Sequence, residues 1–255
     1  RFERPDRILG VTDKPLSQRM AEAEASRETR IRIAFKKTAE NVEESPVLRA
    51  FAMMFLNEDL ETANRLLAED LMKSSDANLW SLFSTPAYCR FYYLFSDRCG
   101  IFRGRMTAET EKLLLETLWA RTHVKNDIHW ARQSTWYLDG SENHDLNAKA
   151  CNLVTSRIFM NEPEYKDRIY PDYGYGGSYH YGHAGYYGPG VDPESRHGGG
   201  RANLADGKEY KAKDHYAAWL KYLKTYFRER AQRGFVLQYG SNTYSKKSLK
   251  RVALV

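Results

Sequence analysis

Residues 141–145 read Ser-Glu-Asn-His-Asp. Two acids, an amide and an imidazole fall together where a helix is expected to begin. Asp139 or Ser141 fits the N-cap, which puts Glu142, Asn143 and His144 in the first turn. Free N–H groups and the positive end of the helix dipole lie there. That dipole favours ionised Glu142 and disfavours protonated His144. A neutral imidazole beside an amide can act as a base, or donate to a substrate oxygen. A plainer account also fits: Glu142 as a capping acid and His144 as a buried, hydrogen-bonded histidine. At helical spacing His144 shares a stripe with Ala148, Cys151, Thr155 and Ile158, and Asn143 shares the next with Asn147 and Ala150. Both therefore point near the apolar side.

A second group of reactive side chains follows. Residues 170–200 hold ten of the 17 glycines, and residues 165–187 hold eight of the 18 tyrosines. A loop over 161–207 is expected, and loops of that length commonly carry function. His180 and His183 are three residues apart, with Asp172 and His197 near in sequence, so a divalent metal could bind there. The rings could equally form a Tyr/Gly-rich adhesive surface. The Gly-rich run lacks the Gly-Lys-Ser/Thr ending of a phosphate loop. His197-Gly-Gly-Gly has no Gly-x-Ser-x-Gly elbow to accompany it, which excludes a lipase-type site.

The elements that must position these residues read as helices. Amphipathic patterns run over 15–40, 45–56 (Ser45 and Pro46 at its start), 57–74, 107–123, 142–160 and 208–233. Aromatic helical stretches flank Pro86. Thr107 is the expected N-cap of its helix, and Gly234 the stop of the 208–233 helix. Residues 234–244 read as extended. A further helix from 245 has no stop signal, so the chain reads as one domain, 1–255, truncated at its C-terminus. Helices joined mostly by short connections predict an all-α fold of antiparallel helical hairpins.

Composition narrows the partners. The 255 residues are 42% hydrophobic and carry a formal net charge of +6. That charge suits an anionic partner. It is dispersed, however, and no nucleic-acid motif accompanies it, so no nucleic acid is expected. No apolar run is long enough to span a membrane. Cys89, Cys99 and Cys151 form neither a disulfide framework nor a zinc knuckle. Three buried thiols are expected, or a Cys89–Cys99 bridge in a secreted protein.

The stretch Gly140-Ser-Glu-Asn-His-Asp-Leu-Asn147, continuing to Phe159, resembles the Ser-Glu-Asn-His region of bacterial helical-toroid proteins linked to polysaccharide degradation. Asn-His pairs also occur in (α/α)-toroid polysaccharide lyases of the heparinase II/III-like and alginate-lyase-like groups. Residues 219–249 are similar to the toroid segment in which a long helix ends at glycine and the chain continues into Ser-x-x-Tyr. The pattern departs at Gln238, where the toroid proteins carry Glu. The resemblance implies part of an (α/α) toroid, secreted to the periplasm or outside the cell, that cleaves an acidic glycan by β-elimination with no required cofactor. It implies that Asn143 binds a uronate carboxylate and that His144 binds it or acts as base. The long loop would supply the phenol, with Tyr173, Tyr179, His180, His183 and Tyr187 as candidates. Arg196, Arg201 or His183 would lower that phenol's pKa. Gln238 and Tyr244 complete the substrate contacts. Two alternatives stay open. One is a glycoside hydrolase pairing Glu142 with Asp139, Asp145 or Asp214. The other is a non-catalytic glycan-binding module.

Overall fold

The computed structural model describes residues 15–74, 85–123, 126–136, 142–172 and 205–233, with side chains in the helix from Glu142 described from Asp145 onward. Seven α-helices and two short strands occur among these residues. The chain is mostly helical, as the sequence predicts. Its contacts group into two compact units, residues 1–67 and 68–255.

In the first unit α1 (Leu16–Glu40) packs on α2 (Pro46–Leu56). Phe35 of α1 meets Phe51 and Phe55 of α2, with ring centroids 5.9 and 4.5 Å apart. Lys36 pairs with Glu58 at 2.7 Å. Ser45 and Pro46 open α2 as expected, and Asn57 closes it in the left-handed conformation, φ 63°. The apolar spacing of α1 predicts a buried stripe through Leu16 and Met20, yet these are 66% and 64% exposed. Exposed Glu–Arg pairs such as Glu28–Arg32 support this helix locally instead. The helix α3 (Leu60–Ser74) buries Ala63, Leu66, Leu67 and Leu71, the face its pattern predicts.

The second unit holds α4 (Thr85–Phe95), α5 (Ala108–Thr122), a 3-10 turn (Trp130–Arg132), α6 (Glu142–Asn161), β1 (Ile169–Tyr170), β2 (Tyr210–Lys211) and α7 (Ala212–Arg233). The aromatic stretch expected ahead of Pro86 lies outside the described residues. Pro86 sits in the first turn of α4, where a missing N–H costs nothing. The Thr107 hydroxyl accepts the Thr110 N–H at 3.2 Å and caps α5. The helix expected from 208 begins at Ala212, because the Asp214 carboxylate takes the Lys211 N–H at 2.9 Å. Tyr210 and Lys211 are thereby left to pair antiparallel with Tyr170 and Ile169.

The centre of this unit is α6, with α7, α4 and α5 packed on it. From Asp145 to Leu153 every residue of α6 is buried. Trp130, Leu146, Ala148, Leu153, Trp219, Leu223 and Tyr226 form a shared core. Burying polar α6 residues requires partners. Lys149 donates to Asp145 and, at 2.7 Å, to the Tyr222 hydroxyl. Asn126 donates to the Asn152 carbonyl (3.3 Å) and to the Ser156 hydroxyl (2.8 Å). Its own oxygen accepts from Trp219 (2.6 Å) and from His215 Nδ1 (2.9 Å). All three cysteines are free; Cys89 and Cys151 are buried, but Cys99 is exposed, in the turn after α4 beside Ser96.

Candidate functional site

The strand pair brings together the two ends of the chain that flank residues 173–204. Asp172 follows β1 and Asp206 precedes β2. His129 meets them from the turn ahead of Trp130. That turn is fixed on two sides. The Asp127 carboxylate accepts the His129 N–H at 2.8 Å, and the Trp130 ring packs on Trp219 in the core. Gly207 takes φ 70°, and the Asp206 carboxylate accepts the Lys208 N–H at 3.2 Å. This Asx turn aims Asp206 back at the cluster.

His129 Nε2 lies 2.8 Å from Asp172 Oδ1, and Arg132 Nη1 lies 3.4 Å from His129 Nδ1. Arginine can only donate, so Nδ1 is the accepting nitrogen and Nε2 carries the proton to Asp172. The Tyr210 hydroxyl donates to Asp206 and accepts from Arg132 Nη2 at 3.0 Å. The Tyr210 hydrogen bond holds the Asp206 carboxyl down to about 2. Burial works against the Arg132 charge, but the contacts to Tyr210 and Asp206 outweigh it and raise its pKa. His129 and Tyr210 are buried, while the Arg132 and Asp206 side chains are 44% and 29% exposed. Arg132 and Asp206 form the open edge of the cluster.

One donor atom from each of His129, Asp172 and Asp206 falls within 4.8 Å of the others, a set able to hold a divalent cation. The surrounding chemistry does not fit one. Nε2 carries a proton rather than a free lone pair, and Arg132 and Lys208 each reach Asp206 at 3.5 Å.

Arg132 also lines a cleft of about 500 Å³ between the 3-10 turn and α7. A second cleft, of about 630 Å³, lies where α4, α5 and the chain after α6 meet. Two of its acids are already engaged: Glu111 accepts the Asp97 N–H at 3.0 Å, and Glu162 holds Tyr92 and Arg98.

Glu142, Asn143 and His144 do fall in the first turn of α6. Their side chains lie outside the described residues, as do Tyr173, Tyr179, His180, His183, Tyr187, Arg196, Arg201, Gln238 and Tyr244. Of the expected hydrolase acids one is corrected: Asp145 is buried in an ion pair with Lys149, out of a sugar's reach. Asp214 is half-buried and caps α7. Asp172, expected near His180 and His183, meets His129; the two histidines lie outside the described residues. The sequence reading missed His129, Arg132, Asp206 and Tyr210. The available signal was the aspartate–tyrosine content at each end of the long segment, Tyr170-Pro-Asp172 and Asp206-Gly-Lys-Glu-Tyr210. No protein-family model matches the chain, and no curated protein or solved structure matches it.

Proposed function

We propose that the protein is a polysaccharide lyase acting on a uronate-containing glycan by β-elimination. The observation that carries the reading is the position of Arg132. Its guanidinium reaches both His129 Nδ1 and the Tyr210 hydroxyl, so a cation, an imidazole and a phenol converge. Elimination next to a carboxylate needs those three roles. The cation neutralises the carboxylate and makes the C5 proton acidic. A base removes that proton, and its electron pair becomes the C4–C5 double bond. The C4–O4 bond breaks, and an acid protonates the departing oxygen.

In this reading Arg132 Nη1 gives up His129 Nδ1 for the substrate carboxylate, Nδ1 takes the C5 proton, and Asp172 stabilises the imidazolium through the bond at Nε2. Tyr210 gives its proton to the leaving oxygen, with Asp206 and Arg132 orienting the phenol. Asn143 and His144 remain proposed carboxylate contacts on the strength of the Ser-Glu-Asn-His resemblance. The basic surface agrees with an acidic polymer, and glycans of this kind are met outside the cell.

The burial of His129 and Tyr210 favours a second reading, in which the same bonds only clasp the ends of segment 173–204 together. The protein would then be a non-catalytic glycan-binding module. Incubation with a panel of uronate polysaccharides separates the readings. Ultraviolet absorbance from unsaturated ends supports elimination. New reducing ends without that absorbance mean hydrolysis. Binding without either product means a module.

A further inference from the structure

The cleft beside the cluster has two walls. Arg132, Gln133 and Thr135 come from the 3-10 turn and the chain after it; Ala217, Ala218, Lys221 and Thr225 come from α7. Its volume, about 500 Å³, is within the range of small-molecule sites. Alanines at 217 and 218 leave the α7 wall low. The lining includes two cations and no acid. The two cations differ in how they are held. Tyr210 and Asp206 fix the Arg132 guanidinium in one orientation. Lys221 is exposed, and no described carboxylate lies within ion-pair distance of it.

We propose that this cleft is the seat of a sugar-borne carboxylate, held between Arg132 and Lys221, and that Lys221 is the residue that discriminates uronate from neutral sugar. The inference rests on the lyase reading and names the group that the site recognises. A planar guanidinium held in place offers paired N–H donors that match a carboxylate. A lysine across the cleft adds a mobile point charge able to follow the ring. Gln133 supplies a polar group for the hydroxyls around it, while the Thr135 hydroxyl is donated to Glu229. Pre-orientation of Arg132 removes part of the ordering cost of binding. No carboxylate lines the cleft itself; Asp206 behind Arg132 and Glu229 behind Thr135 are both engaged by those residues.

The test is equilibrium binding to the full chain by calorimetry at low ionic strength, using a uronate oligosaccharide, its carboxyl-reduced counterpart and a sulfated glycan without uronate. The wild type should bind the uronate oligomer about tenfold more tightly than the reduced one, as expected for hydrogen bonds to a charged group. Lys221→Met should remove most of that preference with thermal unfolding unchanged, and Lys221→Arg should restore it. Equal binding of the reduced oligomer, equal binding of the sulfated glycan, or an unchanged preference in Lys221→Met overturns the proposal. Its failure is separable from that of the lyase reading. Lys221-dependent uronate binding without unsaturated product keeps the site and sinks the lyase. Unsaturated product with Lys221-independent binding does the reverse.

Discussion

Acid should destabilise this protein through His215, and the size of the effect follows from its surroundings. The ring is buried, stacked on Tyr170 at 4.1 Å, with Nδ1 donating to Asn126. Burial, joined by the charge of Arg132, lowers its pKa from 6.5 to about 3. The folded state therefore holds His215 neutral while the unfolded chain protonates near 6.5. Between those values the unfolded state binds more protons, so stability is full above 6.5 and falls as the pH drops toward 3. Integrating the linkage relation from about pH 8 to about pH 5 gives a loss of about 2 kcal/mol from this one group. Urea unfolding at both pH values, followed by tryptophan fluorescence, measures it. The His215→Asn variant keeps a donor at the Nδ1 position and cannot titrate. It should start less stable at neutral pH and lose about 2 kcal/mol less than wild type on acidification. An identical pH dependence in the two proteins refutes the reasoning.

Three further outcomes follow from the packing. Lys149→Met leaves Asp145 charged and buried, and should cost about 3–5 kcal/mol in urea unfolding, because a broken buried pair leaves an uncompensated charge. Thr107→Ala removes the α5 cap and should cost about 1 kcal/mol. Because Arg132 and Lys208 both reach Asp206 and His129 Nε2 faces Asp172 as a donor, adding zinc or a chelator should leave the unfolding temperature unchanged; a rise with zinc that is lost in Asp172→Asn contradicts the proton assignment.

The helices were largely legible because their signals are local. Thr107 caps, Pro46 starts and the leucine face of α3 each depend on residues within a few positions of one another. The start of α7 was misplaced because Asp214 caps from inside the helix, and its partner N–H sets the boundary four residues later than the periodicity does. Burial of α6 was hidden by its polar content. The burial of Asp145 and Lys149 depends on their mutual contact and on the Tyr222 hydroxyl, 73 residues from Lys149. The candidate site was least legible. His129 has no motif around it, and Asp172 and Tyr210 lie 43 and 81 residues away, a separation that the β1–β2 pairing closes. Asp172 alone was singled out, for a different set of partners.

The central claim is that His129 removes a proton from a uronate bound at Arg132. The most direct test is the rate at which unsaturated uronate ends appear, by ultraviolet absorbance, in wild type and in His129→Gln. Glutamine keeps a donor for Asp172 but has no basic nitrogen. The account predicts turnover by wild type on at least one uronate polysaccharide, and a loss of about 100- to 10,000-fold in the variant with its fold intact. No unsaturated product from wild type on any uronate glycan, or an undiminished rate in His129→Gln, contradicts it.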